Sequence, residues 1–188
     1  GPPSTLHPLP STLYPLPSMQ YNLKAPDHLQ ATITLPASKS ISNRVSILSA
    51  LAPEAAPLIN LADSDDGRAL QHALRSADET IDIGAAGTAM RFLTAYFAAR
   101  PGRTRLLTGS ARMRQRPIGL LVDALRGLGA DITYTEREGY PPLRIVGQRL
   151  RGGEVTMDSG VSSQFLSALL LVSPLVGDPL FVSAPGIV

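Results

Sequence analysis

The sequence contains no cysteine, which excludes a disulfide framework and thiolate chemistry. Histidine is scarce. His7, His28 and His72 stand far apart, with no metal-ligand spacing between them, and His28 and His72 read as surface residues. The formal net charge is only +2 over 188 residues, too little by itself to mark a nucleic-acid binder. No window approaches the roughly 18 unbroken apolar residues of a membrane span. These absences point to a cytoplasmic protein with no metal, no cofactor, no nucleic-acid partner and no membrane contact. The composition, 44% hydrophobic, supports one globular domain with a real core.

The most informative stretch is LPASKSISNRVSILSALA, residues 35–52. A short strand, Gln30–Leu35, is expected to end in Pro-Ala-Ser, and an apolar helix to run from about Ser40 to Ala52. Ser38 or Ser40 can cap the first turn. Lys39 and Arg44 lie at and just inside that start. Free N–H groups, a positive dipole end, two cations and three hydroxyls together suit a phosphate or carboxylate. A capped surface helix with two solvated cations is the plainer alternative.

Residues 1–18 carry a near-repeat, STLHPLP then STLYPLP, and read as a Pro-rich disordered tail. Pro57–Leu61 reads as a second strand. Asp63, Asp65 and Asp66 open a helix over about Asp66–Ala77, where their plain role is capping. Thr80–Ile83 is expected as a strand, leading through Gly84-Ala85-Ala86-Gly87-Thr88 into a helix over Ala89–Ala99. Small residues at such a turn let a ligand approach the backbone, and Arg91 adds a cation there. Thr104–Leu107 is the next strand. Arg112, Arg114 and Arg116 crowd one loop. Pro117 suits a first helical position; Ile118, Leu121, Leu125 and Leu128 follow at helical spacing, and Gly129 ends the helix. Strands are expected at Ile132–Tyr134, Leu143–Val146, Glu154–Met157 and Leu180–Ser183. Ser159–Gln164 should open a helix over Phe165–Ser173.

Three helix starts resemble one another: NRVSILSALA, MRFLTAYFA and SQFLSALLL. Each follows a turn of small or hydroxyl residues, so one supersecondary unit is repeated. Helix N-termini arranged about a pseudo-axis could share one cleft. Their partial charges would then add to Lys39, Arg44, Arg91 and Arg116.

SKSISNR, GAAGTAMRFL, RMRQRPIGLLVDALRGLGA and VSSQFLSALLLVSPL occur in this order. Together they resemble the EPSP synthase (3-phosphoshikimate 1-carboxyvinyltransferase) family over about residues 23–188. The resemblance implies an α/β fold of repeated βαβαββ units, the inside-out α/β barrel of enolpyruvyl transferases, with two domains around a cleft. Against that pattern, residues 19–188 are expected to be a partial domain, cut before its third repeat is complete and lacking the second domain.

The resemblance also implies transfer of the enolpyruvyl group of phosphoenolpyruvate to the 5-hydroxyl of shikimate 3-phosphate, by addition and then elimination of phosphate. Lys39 would contact both substrates. Ser40 and Arg44 would hold shikimate 3-phosphate. Gly87 would approach phosphoenolpyruvate through its N–H, with Thr88 beside it, and Arg116 would pair with it. Ser162 and Ser163 would bind the ring phosphate, and Gln164 would bridge the ligands. Members of the family are usually monomeric. Three departures stand out. Ala85 replaces the family's loop Asn. The connection from Ala77 to Thr80 is short where many relatives carry a hairpin. No general base in residues 1–188 matches the family's, so the chain alone is expected to be inactive. A non-catalytic ligand-binding half is the competing expectation. A UDP-amino-sugar enolpyruvyl transferase is disfavoured, because that family normally carries a reactive Cys.

Overall fold

The computed structural model describes residues 24, 27–28, 30–52, 54, 56–157 and 162–185. The Pro-rich stretch 1–18 and the turn residues 159–161 lie outside them. The chain divides into two units, 1–34 and 35–188. The described residues of the first are exposed and form neither helix nor strand.

The second unit is mixed α/β. Helices α1 (Lys39–Leu51) and α2 (Asp65–Arg75) come first. Then follow β1 (Thr80–Asp82), α3 (Gly87–Ala98), β2 (Thr104–Thr108), α4 (Gly119–Gly127), β3 (Asp131–Tyr134) and β4 (Leu143–Val146). This run is one complete βαβαββ unit. Its sheet has the order β1-β2-β4-β3, with β1 parallel to β2 and the other pairs antiparallel. The chain continues through β5 (Gly153–Thr156), α5 (Ser163–Val172) and β6 (Leu180–Ser183), and β5 pairs with β6 in parallel.

Packing follows the residue pattern. The inner sheet face carries Ile81, Leu107, Ile132, Leu143 and Ile145, all buried, while Asp82, Thr133 and Arg144 alternate outward. Helix α3 is apolar on almost every side, and every residue from Phe92 to Ala98 is buried. Such a helix belongs inside. It packs on β2 and β4 and is flanked by α1, α2, α4 and α5.

Three expectations need correction. Gln30–Leu35 and Pro57–Leu61 are not strands. Alternation makes a segment suitable for a strand, but ladder bonds require a partner, and no described strand runs beside either segment. The amide of Ala62, just after the second, instead donates to Ser42 Oγ at 2.8 Å. Pro117 is not the first residue of α4. Ile118 stands before the helix at φ −135°, ψ 0°, its N–H held by Gly139 O at 2.9 Å. The acidic residues stand as expected at the start of α2, with Asp65 and Asp66 in its first turn; the side-chain cap itself is Ser64, accepting from Gly67 N at 3.1 Å, while Asp63 and Asp65 both pair with Arg68. The remaining helices and strands fall within two residues of expectation, and Gly129 sits just past α4 at φ +92°, where a side chain would be strained.

Candidate functional site

Three helix starts converge on one cavity. Ser38 caps α1, accepting from Ile41 N at 3.4 Å, and this exposes Lys39 and Ser40 on the first turn. Ala86 precedes α3 and offers no side-chain cap, so the N–H groups at Gly87 and Thr88 meet no capping oxygen. Ser162 caps α5, accepting from Gln164 N at 3.3 Å. A cavity of about 370 Å³ elsewhere is larger, yet it is this one, of about 320 Å³, that gathers the expected residues: Lys39, Ser40, Arg44, Thr88, Ser163 and Gln164. Ser162 adjoins it as the cap of α5. Helix starts present donors and a positive dipole end, so three of them around one space favour an anion.

The cations are held in place. Lys39 Nζ lies 2.8 Å from Asp66 Oδ2 on α2. The Arg44 guanidinium donates to the Ser40 carbonyl at 3.1 Å and to Ser40 Oγ, and its other arm reaches Ser167 Oγ at 3.0 Å. Its carbon stands 5.8 Å from the Phe92 ring centroid, a cation–π contact.

Beside the cavity, two more guanidinium groups face each other across Gly87. Arg91 donates to Gly87 O at 2.9 Å and stacks 5.2 Å from the Phe165 ring. A Cβ on Gly87 would collide with Arg116 Nη1 and come within 3.1 Å of Arg91 Nη1. The Arg91 pKa is lowered, first by burial and second by the charge of Arg116. Two like charges kept this close are stabilised by an anion between them. Arg116 also lines a neighbouring space of about 420 Å³ with Ala85, Arg112 and Met113.

Several buried polar atoms here have no hydrogen-bond partner among the described residues: both amide atoms of Asn43, Arg91 Nε and Gln164 Oε1. Buried polar groups are ordinarily satisfied, so their grouping around one cavity fits a polar ligand. Asn43, Phe92 and Ser167 belong to the site without being expected from the sequence. Each lies four residues after an expected site residue, namely Lys39, Thr88 and Ser163. That spacing returns to the same helix face. Asp66 reads as a dipole partner in the sequence, and its reach to Lys39 has no local signal.

Comparisons with known proteins show the family. The family model described as EPSP synthase (3-phosphoshikimate 1-carboxyvinyltransferase) matches residues 23–78 and 76–183. A 3-phosphoshikimate 1-carboxyvinyltransferase of Bacteroides fragilis is 52% identical over 164 residues, which cover 87% of this chain and 40% of that protein. The corresponding protein of Photobacterium profundum is 44% identical over 179 residues, covering 81% and 42%. Among solved structures, an EPSP synthase from Acinetobacter baumannii superposes with a TM-score of 0.72 at 25% identity, over 81% of this chain and 40% of that one. The chain therefore spans about 40% of the length of these relatives.

Proposed function

This chain belongs to the EPSP synthase family, and on that premise we propose that it carries the anion-binding half of a site for enolpyruvyl transfer from phosphoenolpyruvate to shikimate 3-phosphate. The observation that carries the reading is the convergence of three helix starts on one cavity with Lys39, Arg44, Ser163 and Gln164. Both substrates bear a phosphate and a carboxylate, and charge-assisted bonds to such groups are about twice as strong as neutral ones. Lys39 and Arg44 with Ser40, Ser162 and Ser163 would hold shikimate 3-phosphate. Gly87, Thr88 and Arg116 would hold phosphoenolpyruvate, with Arg91 behind them, and Gln164 would bridge the two.

In the reaction, the 5-hydroxyl gives up its proton to a base as its oxygen bonds to C2 of phosphoenolpyruvate, and an acid adds a proton at C3. The resulting tetrahedral intermediate then loses a proton from C3 as the C2–O bond to phosphate breaks. Preorganised cations stabilise the charge on the phosphate leaving group, and two bound reactants gain in orientation. The proton transfers need a general acid and base. The cavity lining contains neither carboxylate nor histidine. The 188-residue chain is thus proposed to bind ligand without turnover, its chemistry depending on groups in the part of the relatives that it does not span. Its setting would be the cytoplasm, with the shikimate pathway as context.

Calorimetric titration with shikimate 3-phosphate, with and without phosphoenolpyruvate, tests this reading. Saturable binding that Lys39→Ala or Ser163→Ala abolishes is expected. Absence of heat at millimolar ligand would overturn the binding assignment. Phosphate release by chain prepared free of host enzyme would overturn the inactivity.

A further inference from the structure

At the opposite ends of α2 and α3 lies a recess of about 370 Å³. Its walls carry Arg75, Arg100, Arg103 and Arg105, with Tyr96 and Phe97 as the aromatic floor. We propose that this recess is a second binding site, for a small organic dianion that carries a flat apolar group. The proposal is independent of the function proposed above, because none of these residues lines the cavity at the helix starts.

The site is built rather than incidental. Arg105 is only 6% exposed. Its two arms donate to Ala77 O at 3.1 Å and Ser76 O at 3.2 Å, and its carbon stands 5.9 Å from the Phe97 ring. Tyr96 and Phe97 meet edge to face at 5.6 Å, and the Arg100 guanidinium carbon lies 5.5 Å from the Tyr96 centroid. Both rings are buried, so the floor is rigid and apolar.

The charges exceed what the fold requires. A helix C-terminus carries about half a negative charge, so the ends of α2 and α3 together ask for about one cation. Arg105 already serves the carbonyls that follow α2. Among the described residues, no carboxylate oxygen lies within 4.0 Å of Arg75, Arg100, Arg103 or Arg105, since every such ion pair involves Lys39, Arg68, Arg114 or Arg126. The carboxylate of Asp78, close in sequence, accepts from Ser76 Oγ at 2.7 Å. Arg75, Arg100 and Arg103, exposed on the walls of one concavity, are left without a carboxylate partner, and an anion in the recess would gain the attraction of all three together with that of the buried Arg105.

The recess continues into a groove of about 550 Å³ that shares Leu74, Arg75, Tyr96 and Arg100 and adds Leu58 and Leu61. An apolar wall beside a cationic end selects a ligand with both characters. The two matched stretches of the family model meet at residues 76–78, on the rim of the recess.

The test is titration of the 188-residue chain with phenyl phosphate and with phthalate, read by calorimetry and by NMR of the Tyr96 ring. Phenol serves as the neutral control. Saturable binding of at least one dianion is expected in the unaltered chain and, undiminished, in Lys39→Ala/Ser163→Ala. Arg100→Gln/Arg103→Gln should weaken it at least tenfold, and Arg103→Glu alone should do so if the double variant melts early. Preference for phenyl phosphate would assign the site to phosphate monoesters, and preference for phthalate to dicarboxylates. No saturation at millimolar probe, equal binding of phenol, or affinity unchanged by the arginine variants would overturn the proposal.

Discussion

Gly87 and Gly147 both lack room for a Cβ, and the identity of the obstructing atom decides the consequence. At Gly87 the obstacles are the far ends of Arg116 and Arg91. Long side chains can swing aside, and alanine is favoured over glycine in a helix by about 1 kcal/mol. Gly87→Ala should therefore melt within about 1 kcal/mol of the unaltered chain. It should nonetheless lose about tenfold in affinity for shikimate 3-phosphate plus phosphoenolpyruvate, or ~1.4 kcal/mol, because Arg116 is displaced. Thermal melts and calorimetry check the two halves separately. At Gly147 the obstacle is the backbone at Arg100, with Phe97 O at 3.0 Å. Backbone in a packed turn does not swing, and Gly147→Ala should cost about 1–3 kcal/mol in urea denaturation, with ligand affinity unchanged in the folded fraction. At this scale the cavity's cations and hydroxyls are legible in the sequence, since a charge at a helix start has an immediate chemical meaning. Asn43 and Phe92 are not, because an amide or a ring one turn further on resembles ordinary core.

At the scale of elements, what depends on near neighbours is legible. Helical spacing, Gly129 as a stop and the alternation in Leu143–Val146 are all of this kind. The segments 30–35 and 57–61 show the limit. The first alternates and the second is apolar, but strand formation depends on a partner distant in sequence. Amide exchange should separate the cases: residues 57–61 should exchange at least a hundredfold faster than β2, which is paired on both sides. Equal protection would show that the second segment does find a partner. The pairing of α4 with β3 gives a pH test. Arg126 donates to Ile132 O at 3.0 and 2.7 Å and stacks 4.9 Å from the Tyr134 ring. The Tyr134 pKa is pushed up to about 12, first by burial and then by the charge of Asp123, against the opposing pull of Arg126. The folded state thus favours the neutral phenol. Its contribution is fully present below the unfolded pKa of about 10 and is lost as pH rises through about 12. Stability should fall across that window, and Tyr134→Phe should flatten the fall in melts at successive pH values.

At the scale of the whole molecule, the repeat is the feature of the sequence with the largest consequence. Three similar helix starts imply a shared cleft, and α1, α3 and α5 do meet at one cavity. What the repeat does not disclose is which faces stay uncovered. Around α1, Leu35 is 81% exposed, Ile41 63% and Ile59 85%. Ile41, Val45, Leu58 and Ile59 line a groove of about 450 Å³. Monomeric proteins seldom expose contiguous apolar surface of this kind. Full burial of one such side chain is worth about 1.5–3 kcal/mol, so the mostly exposed Ile41 and Ile59 of two associating chains, four side chains in all, are worth roughly 6–12 kcal/mol. Association costs about 4–15 kcal/mol. The two nearly cancel, so the 188-residue chain should associate weakly rather than form a tight dimer. Sedimentation should show a mean mass that rises steadily with concentration, and a hydrophobic dye should bind the dilute chain. Ile41→Thr with Ile59→Thr should suppress both effects while shifting stability by less than about 1 kcal/mol, because exposed substitutions seldom do more. A tight dimer that survives the pair of substitutions would locate the interface elsewhere.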